Sequence, residues 1–309
     1  MNQTNCFRKL YFQDTSFANL MTRRIYNILL IASKYDAFIL EDDGRVDEQI
    51  FNEYVSLNLR YPPRFTQVSD GIEALDVLGK TNYELIIFMP GDMKDAGFAT
   101  AKTIKAKHPD IPIVVLTPFS KEVSKYMAHA DLSAVDYVFS WLGNTDLLLA
   151  IIKLIEDKMN VDEDIHSVGV RVIILVEDSV RFYSSILPNL YKFVLEQSRN
   201  FATEALNAHQ QMLRMRGRPK ILLARNYEEA KELYKKYHKN MLGLISDMSF
   251  NREGTKDKLA GIRFCRRVRN HDAVIPIILN SSDAENKPYA DEIEAGFIHK
   301  SSKTFPQQL

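Results

Sequence analysis

The chain has 309 residues, 46% hydrophobic and 26% charged, with 40 basic and 40 acidic side chains and a formal charge of zero. This suits two soluble domains at roughly 100–200 residues each, and it lacks the basic excess expected of a nucleic-acid-binding protein. Its two cysteines, Cys6 and Cys265, offer no disulfide framework and point to the cytoplasm.

Residues 1–22 read as an N-terminal extension without a signal-peptide pattern. In it, Asp14-Thr15-Ser16 before Phe17–Met21 forms a capping pattern for a short helix. Short apolar runs follow at Ile25–Ala32, Leu85–Met89, Ile113–Leu116 and Tyr137–Phe139. Helix-period segments such as Gly71–Leu78 and Leu147–Met159 separate them. Apolar strands alternating with amphipathic helices predict a parallel sheet covered on both faces. The most apolar run, Leu147–Ile155, is broken by Lys153 and falls short of the roughly 18–20 residues of a membrane span. No membrane partner is expected. A first domain over 23–160 is therefore predicted, and the acidic stretch Asn160–Asp164 opens a linker over 161–168.

The pattern restarts in a second domain over 169–309, after an interval of about 145 residues, so each unit is a whole domain and not a solenoid repeat. Strands are predicted at Val170–Val176, Ile221–Ala224, Met241–Ser246, Ile275–Leu279 and Phe297–His299, with helices at Tyr227–Tyr237 and Ala260–Arg269. Ile111-Pro112 and Ile275-Pro276 both place proline at a strand start, where no ladder donor is needed. From Ser179 to about Met215 only Pro188 interrupts a helical pattern. That allows a helix of roughly 35 residues and about 50 Å, kinked or broken at Pro188. It serves either as a projecting arm that pairs with a partner or as a long helix with a solvated tip.

In an open parallel sheet, functional groups gather at the carboxyl ends of the strands. The first strand of the second domain ends in Glu177-Asp178 and its third in Asp247. If these strands are neighbours, three carboxylates converge and repel, which a hard divalent cation such as Mg²⁺ relieves. Ser281 ends the fourth strand and Lys300 the fifth. A carboxylate nucleophile, a metal, a hydroxyl and a lysine are the parts needed to capture a phosphoryl group.

Over most of 169–300 this set resembles the receiver domain of two-component response regulators. The resemblance implies a flavodoxin-like, doubly wound (βα)5 parallel sheet in each half. It makes Glu177, Asp178 and Asp247 the Mg²⁺ site and Asp247 the phosphoacceptor. Ser281 and Lys300 become the phosphoryl-contacting residues, and Phe297 the aromatic switch. Ser281 stands five residues after Pro276 and Lys300 three after Phe297, as in the family. Three departures accompany these matches. Ser281 replaces the usual Thr, Ser301 replaces a proline after the lysine, and the stretch between Ser281 and Lys300 is a few residues short. The resemblance further implies signal transduction, with no enzyme activity beyond self-phosphorylation and autodephosphorylation. The phosphodonor would be a histidine kinase or a small phosphorylated molecule. A downstream output region or a second copy would receive the signal.

The first half matches the same family in pattern but not in chemistry. Val68–Leu75 resembles the family's second strand and helix, and Ile111–Thr117 its fourth strand. The acidic pair is replaced by Ala32-Ser33, the phosphoacceptor by Met89 and the lysine by Ser140, followed by Trp141. A thioether neither attacks phosphorus nor holds Mg²⁺, so a pseudo-receiver is predicted. Asp92 and Asp95, just past Met89, read as solvated loop acids. Asp164-x-His166-x-x-Gly169 matches a cobalamin-binding pattern, but it precedes its strand, which leaves His166 as an exposed linker residue.

The sequence reaches Lys300 and stops at Leu309, too soon for a fifth helix like Thr145–Met159. A natural chain continuing past Leu309 is expected. Arg24–Tyr54 and Tyr227–Lys300 also resemble the N-terminal region of phosphoenolpyruvate synthase-like proteins. That leaves open a regulatory region of such an enzyme, or a protein-interaction scaffold in which Asp247 is idle.

Overall fold

The computed structural model describes residues 19–300 apart from 41–45, 58, 60, 91–93, 119–130, 142, 144, 203–210, 212 and 213. The chain divides into two compact units: Arg23–Ile155, and Met1–Thr22 together with Glu156–Leu309. The capping pattern at Asp14–Ser16 lies outside the described residues.

In the first unit, β1 (Asn27–Ile31) is followed by helices α1 (Lys34–Leu40) and α2 (Val46–Ser56). Next come β2 (Arg64–Val68), α3 (Gly71–Leu78), β3 (Leu85–Phe88), α4 (Lys94–Lys107), β4 (Ile113–Pro118) and β5 (Tyr137–Trp141). The strands form one parallel sheet in the order β2-β1-β3-β4-β5. Every residue of β3 is buried, as a strand covered on both faces requires. Asp70 caps α3 by accepting from the N–H groups of Ile72 and Glu73 at 2.9 Å, while Glu73 reaches back to the Ser69 N–H.

A helix, α5 (Asp146–Val168), runs from one unit into the other. Residues 161–168, expected as a linker, are its C-terminal part. The acidic composition misled because its partners are distant in sequence. Val161 is buried in the second unit's core and Ile165 packs on it. Asp164 is buried against Lys220 at 2.8 Å, and Asp162 accepts from Lys236 at 2.7 Å and from the Tyr237 hydroxyl at 2.8 Å. Gly169, at φ +69°, ends the helix in the left-handed conformation, and its N–H donates to the Ile165 carbonyl at 2.8 Å. His166 is exposed, but on the last turn of this helix rather than in a linker.

The second unit contains β6 (Val172–Val176), α6 (Val180–Ala202), β7 (Lys220–Ala224), α7 (Tyr227–Tyr237) and β8 (Met241–Asp247). A hairpin follows, β9 (Phe250–Arg252) and β10 (Thr255–Asp257), then α8 (Ala260–His271), β11 (Ile277–Ser281), α9 (Lys287–Glu292) and β12 (Gly296–His299). The sheet is parallel, in the order β7-β6-β8-β11-β12. Both units therefore have the flavodoxin-like doubly wound order, with the direction of winding reversing between β1 and β3 in one and between β6 and β8 in the other. Asn226 caps α7, accepting from the Glu229 N–H at 2.8 Å, and Glu229 accepts from the Arg225 N–H at 2.8 Å. The same capping chemistry thus follows the second strand of each unit.

The long helix expected from Ser179 to about Met215 is described as α6 over Val180–Ala202; residues 203–210 of the expected arm lie outside the described residues. Pro188 sits inside α6 and has no N–H for the Ser184 carbonyl one turn back; one residue on, Asn189 Nδ2 donates to the Ser185 carbonyl at 3.0 Å. Among the described residues, no helix is long and apolar enough to cross a membrane.

Candidate functional site

The winding of the second unit reverses between β6 and β8, and both strands carry acids at their carboxyl ends. Glu177 follows β6, with its N–H donating to the Ala224 carbonyl at 3.0 Å. Asp247 is the last residue of β8, opposite Asn280 of β11. Glu177, Asp178 and Asp247 come together with one carboxylate oxygen from each within 4.8 Å of the others. Glu177 and Asp247 are buried and Asp178 is partly open.

Lys300 is brought to the same point by its backbone: its N–H donates to the Ser281 carbonyl at 2.8 Å. Its Nζ lies 2.6 Å from Glu177 Oε2 and 2.8 Å from Asp247 Oδ1, and 4.2 Å from the ring centre of Phe182 on α6. Asp247 Oδ1 also accepts from the Met248 N–H at 2.7 Å. Ser281 is buried at the end of β11, where its Oγ accepts from the Asp283 N–H at 3.0 Å and Asn286 Nδ2 at 2.8 Å. Phe297 is half-buried on β12, packed against the core. The structure thus gathers the three acids and Lys300 directly, with Ser281 tied to Lys300 through the backbone.

Burial, reinforced by the charge of Asp247, pushes the Glu177 carboxyl up to about 7 against the opposing pull of Lys300. Burial likewise raises Asp247, with Lys300 opposing it. Three clustered acids against two lysines, the buried Lys300 and the half-exposed Lys256, leave an excess of negative charge in a poorly solvated place. The donors are all carboxylate oxygens, the set that a hard divalent cation prefers. The residues present therefore fit Mg²⁺.

Three participants were not found in the sequence. Phe182 lies under Lys300, and nothing in a helical run of aromatics marks it. Lys256, on the hairpin, places its Nζ 2.6 Å from Asp178 Oδ2; residues 248–259 carry no apolar run that marks a strand. Gly261 is the second residue of α8, and a Cβ there would stand 1.9 Å from the Asp247 carbonyl oxygen. An Ala-Gly pair opening a helix just after a strand-end acid was the available signal. Gly261→Ala is expected to push the Asp247 backbone out of place. The expected loss is about 1–3 kcal/mol of stability in the second unit by chemical denaturation. A variant as stable as the parent would mean the helix start shifts freely.

In the first unit the equivalent strand ends carry no such chemistry. Ala32 and Met89 are buried, with the Met89 N–H donating to the Ile31 carbonyl at 2.9 Å, and Ser140 is buried within β5. Among the described residues of this unit no comparable trio of acids meets. Asp92 and the side chain of Asp95 lie outside the described residues.

No protein-family model matches the chain, and no curated protein is significantly similar to it. Among solved structures, it aligns with one described as a two-component system response regulator/GGDEF domain protein. The alignment has 12% identity and a TM-score of 0.35, and covers 92% of this chain and 94% of that one. A second structure, of the protein PH0766 from Pyrococcus horikoshii OT3, aligns at 12% identity with a TM-score of 0.29, covering 94% of this chain and 64% of that one. Likenesses this low carry no argument; the fold rests on strand order and register.

Proposed function

We propose that the second unit is a receiver-type phosphoacceptor module for signal transduction, and the first a pseudo-receiver that is not phosphorylated. The observation that supports this most is the meeting of Glu177, Asp178, Asp247 and Lys300 at the point where the sheet reverses its winding. Asp178 and Asp247 would hold Mg²⁺ directly, with Glu177 acting through water. Such an ion supplies charge neutralisation on the phosphoryl oxygens.

An Asp247 carboxylate oxygen attacks the phosphorus of the donor, either a histidine kinase phosphohistidine or a small acyl phosphate. The O–P bond forms as the bond to the leaving group breaks, and the aspartyl phosphate remains. Lys300, already 2.8 Å from Asp247, is placed to pair with a phosphoryl oxygen. Ser281 accepts two bonds at its Oγ and has its own proton to donate to the same group. The new charge, about 1.5–2 negative units, would draw Ser281 and leave room for Phe297 to turn inward. That change would be passed to a partner or output region. It involves no catalysis on a separate substrate.

The test is incubation of the full chain with Mg²⁺ and acetyl phosphate, followed by intact mass and peptide mapping. One phosphoryl adduct that alkali and hydroxylamine remove is expected on the peptide bearing Asp247. None is expected with Asp247→Asn, and none on peptides from the first unit. Omitting Mg²⁺ should reduce adduct formation at least about tenfold, in line with charge stabilisation worth several kcal/mol. An adduct that survives Asp247→Asn, or absence of any adduct with acetyl phosphate or with beryllofluoride as a mimic, would favour the scaffold reading.

A further inference from the structure

The hairpin that follows Asp247 is built into the second unit. Glu253 and Gly254 form its two-residue turn, at φ 52° and 76°, the pair of left-handed residues that a tight hairpin needs. At its base Phe250 is fully buried, and Asn251 bridges to Asn226 in parallel pairing. The Glu253 N–H donates to Glu228 Oε1 at 3.0 Å, and the Arg252 guanidinium lies 5.1 Å from the ring centre of Tyr227. On the other strand, Asp257 accepts from the Leu259 N–H at 2.9 Å and stands 3.4 Å from Arg263. The backbone under Lys256 is therefore fixed, and only its side chain is free to swing.

That side chain places its ammonium 2.6 Å from Asp178 Oδ2. Asp178 is the most open of the three acids, with a side chain 14% exposed, while the Lys256 side chain is 52% exposed and has solvent to move into. Lys300 occupies the inner pair, Glu177 and Asp247, so the two lysines divide the three carboxylates between them. A divalent cation bound through Asp178 Oδ2 competes with Lys256 for that oxygen.

We propose that Lys256 is a built-in occupant of the cation position: it holds Asp178 until a divalent ion displaces it. It thereby weakens ion binding and sets a concentration threshold for phosphoryl transfer to Asp247. The inference rests on the phosphoacceptor reading above. Displacement frees the ammonium at the rim of the site, where it meets an incoming phosphorylated donor. One residue thus opposes the metal in the resting state and favours the anionic donor afterwards. The half-exposed pair is a modest competitor, so the effect is a shift in affinity rather than a block.

The experiment measures Mn²⁺ binding to the full chain through loss of the free-ion paramagnetic resonance signal, with Mg²⁺ as competitor. Lys256→Met is expected to tighten binding about three- to tenfold, as loss of an exposed ion-pair competitor allows. Lys256→Arg should stay near the parent value. Lys258→Met removes an exposed neighbouring charge and should change affinity less than about twofold, because its effect is screened. At low Mg²⁺, Lys256→Met should also form the acetyl phosphate adduct at a lower ion concentration than the parent. Equal gains from Lys256→Met and Lys258→Met would overturn the inference, since general charge alone would then explain them. So would an unchanged affinity in Lys256→Met while the parent binds Mn²⁺ and Asp178→Asn does not, an outcome that leaves the phosphoacceptor reading standing. Absence of binding by parent and Lys256→Met alike would overturn that reading and the inference with it.

Discussion

Asp157→Ala should destabilise the second unit by about 3–5 kcal/mol, because it strands a buried guanidinium. Asp157 on α5 and Arg218 just before β7 are both fully buried side chains, joined by two bonds of 2.7 and 3.0 Å. The remaining capacity of Asp157 is used by the Tyr191 hydroxyl at 2.9 Å and the Ile221 N–H at 2.9 Å. Burial works against the Arg218 charge, but Asp157 beside it outweighs that and holds its pKa above the ordinary value. Removing the carboxylate takes the counter-charge from a guanidinium whose Nη1 keeps the Pro219 carbonyl at 3.0 Å, and takes an acceptor from the Tyr191 hydroxyl and the Ile221 N–H. A loss of that size is a large share of the roughly 5–15 kcal/mol that holds a domain together. Denaturation followed by circular dichroism reads it. The double variant Asp157→Leu, Arg218→Met should recover much of the loss, since replacing a whole buried pair by apolar groups is close to neutral. If Asp157→Ala costs less than about 1 kcal/mol, water reaches this pair and the argument fails.

Glu177→Gln should have the opposite sign, stabilising the metal-free protein above neutral pH. The carboxyl of Glu177 rises from an ordinary 4.5 to about 7 on folding. Between those values the native state holds a proton that the unfolded chain has lost, so stability falls as pH rises through that window. At roughly 1.4 kcal/mol per pKa unit, the full penalty at pH 8 is about 3 kcal/mol. The amide removes it while still accepting a bond from Lys300, so a gain of about 1–3 kcal/mol is expected at pH 8 and almost none near pH 4.5. Saturating Mg²⁺ should narrow the difference, because the ion stabilises the parent by engaging deprotonated carboxylates. Melting curves at both pH values, with and without Mg²⁺, decide it. Parent and variant that melt together at pH 8 in chelator would mean that Lys300 already neutralises Glu177.

Much of the fold was legible because its signals are local. Gly71–Leu78 and Tyr227–Tyr237 have in the sequence the bounds they have in the structure, since a helical apolar period is written in neighbouring residues. The buried strands are legible within a few residues because a sheet covered on both faces demands continuous apolar runs; β2, largely open to solvent, and the hairpin strands β9 and β10 carry no such run. The candidate site was legible for a related reason. Residues at the carboxyl ends of parallel strands converge once the strand order is known, so the sequence pattern already implies that Glu177, Asp178, Asp247 and Lys300 meet.

What the tertiary structure alone decided depends on partners remote in sequence. Asn160–Asp164 has the composition of a linker, and only Lys220, Lys236 and Tyr237 make it a helix with paired acids. Nothing near Asp157 in the sequence marks it as the partner of Arg218, 61 residues away. Only the hairpin brings Lys256 to Asp178, 78 residues back. Periodicity records which face of an element is apolar. It does not record which charge on the polar face will find its counterpart, because that is set by how the elements pack.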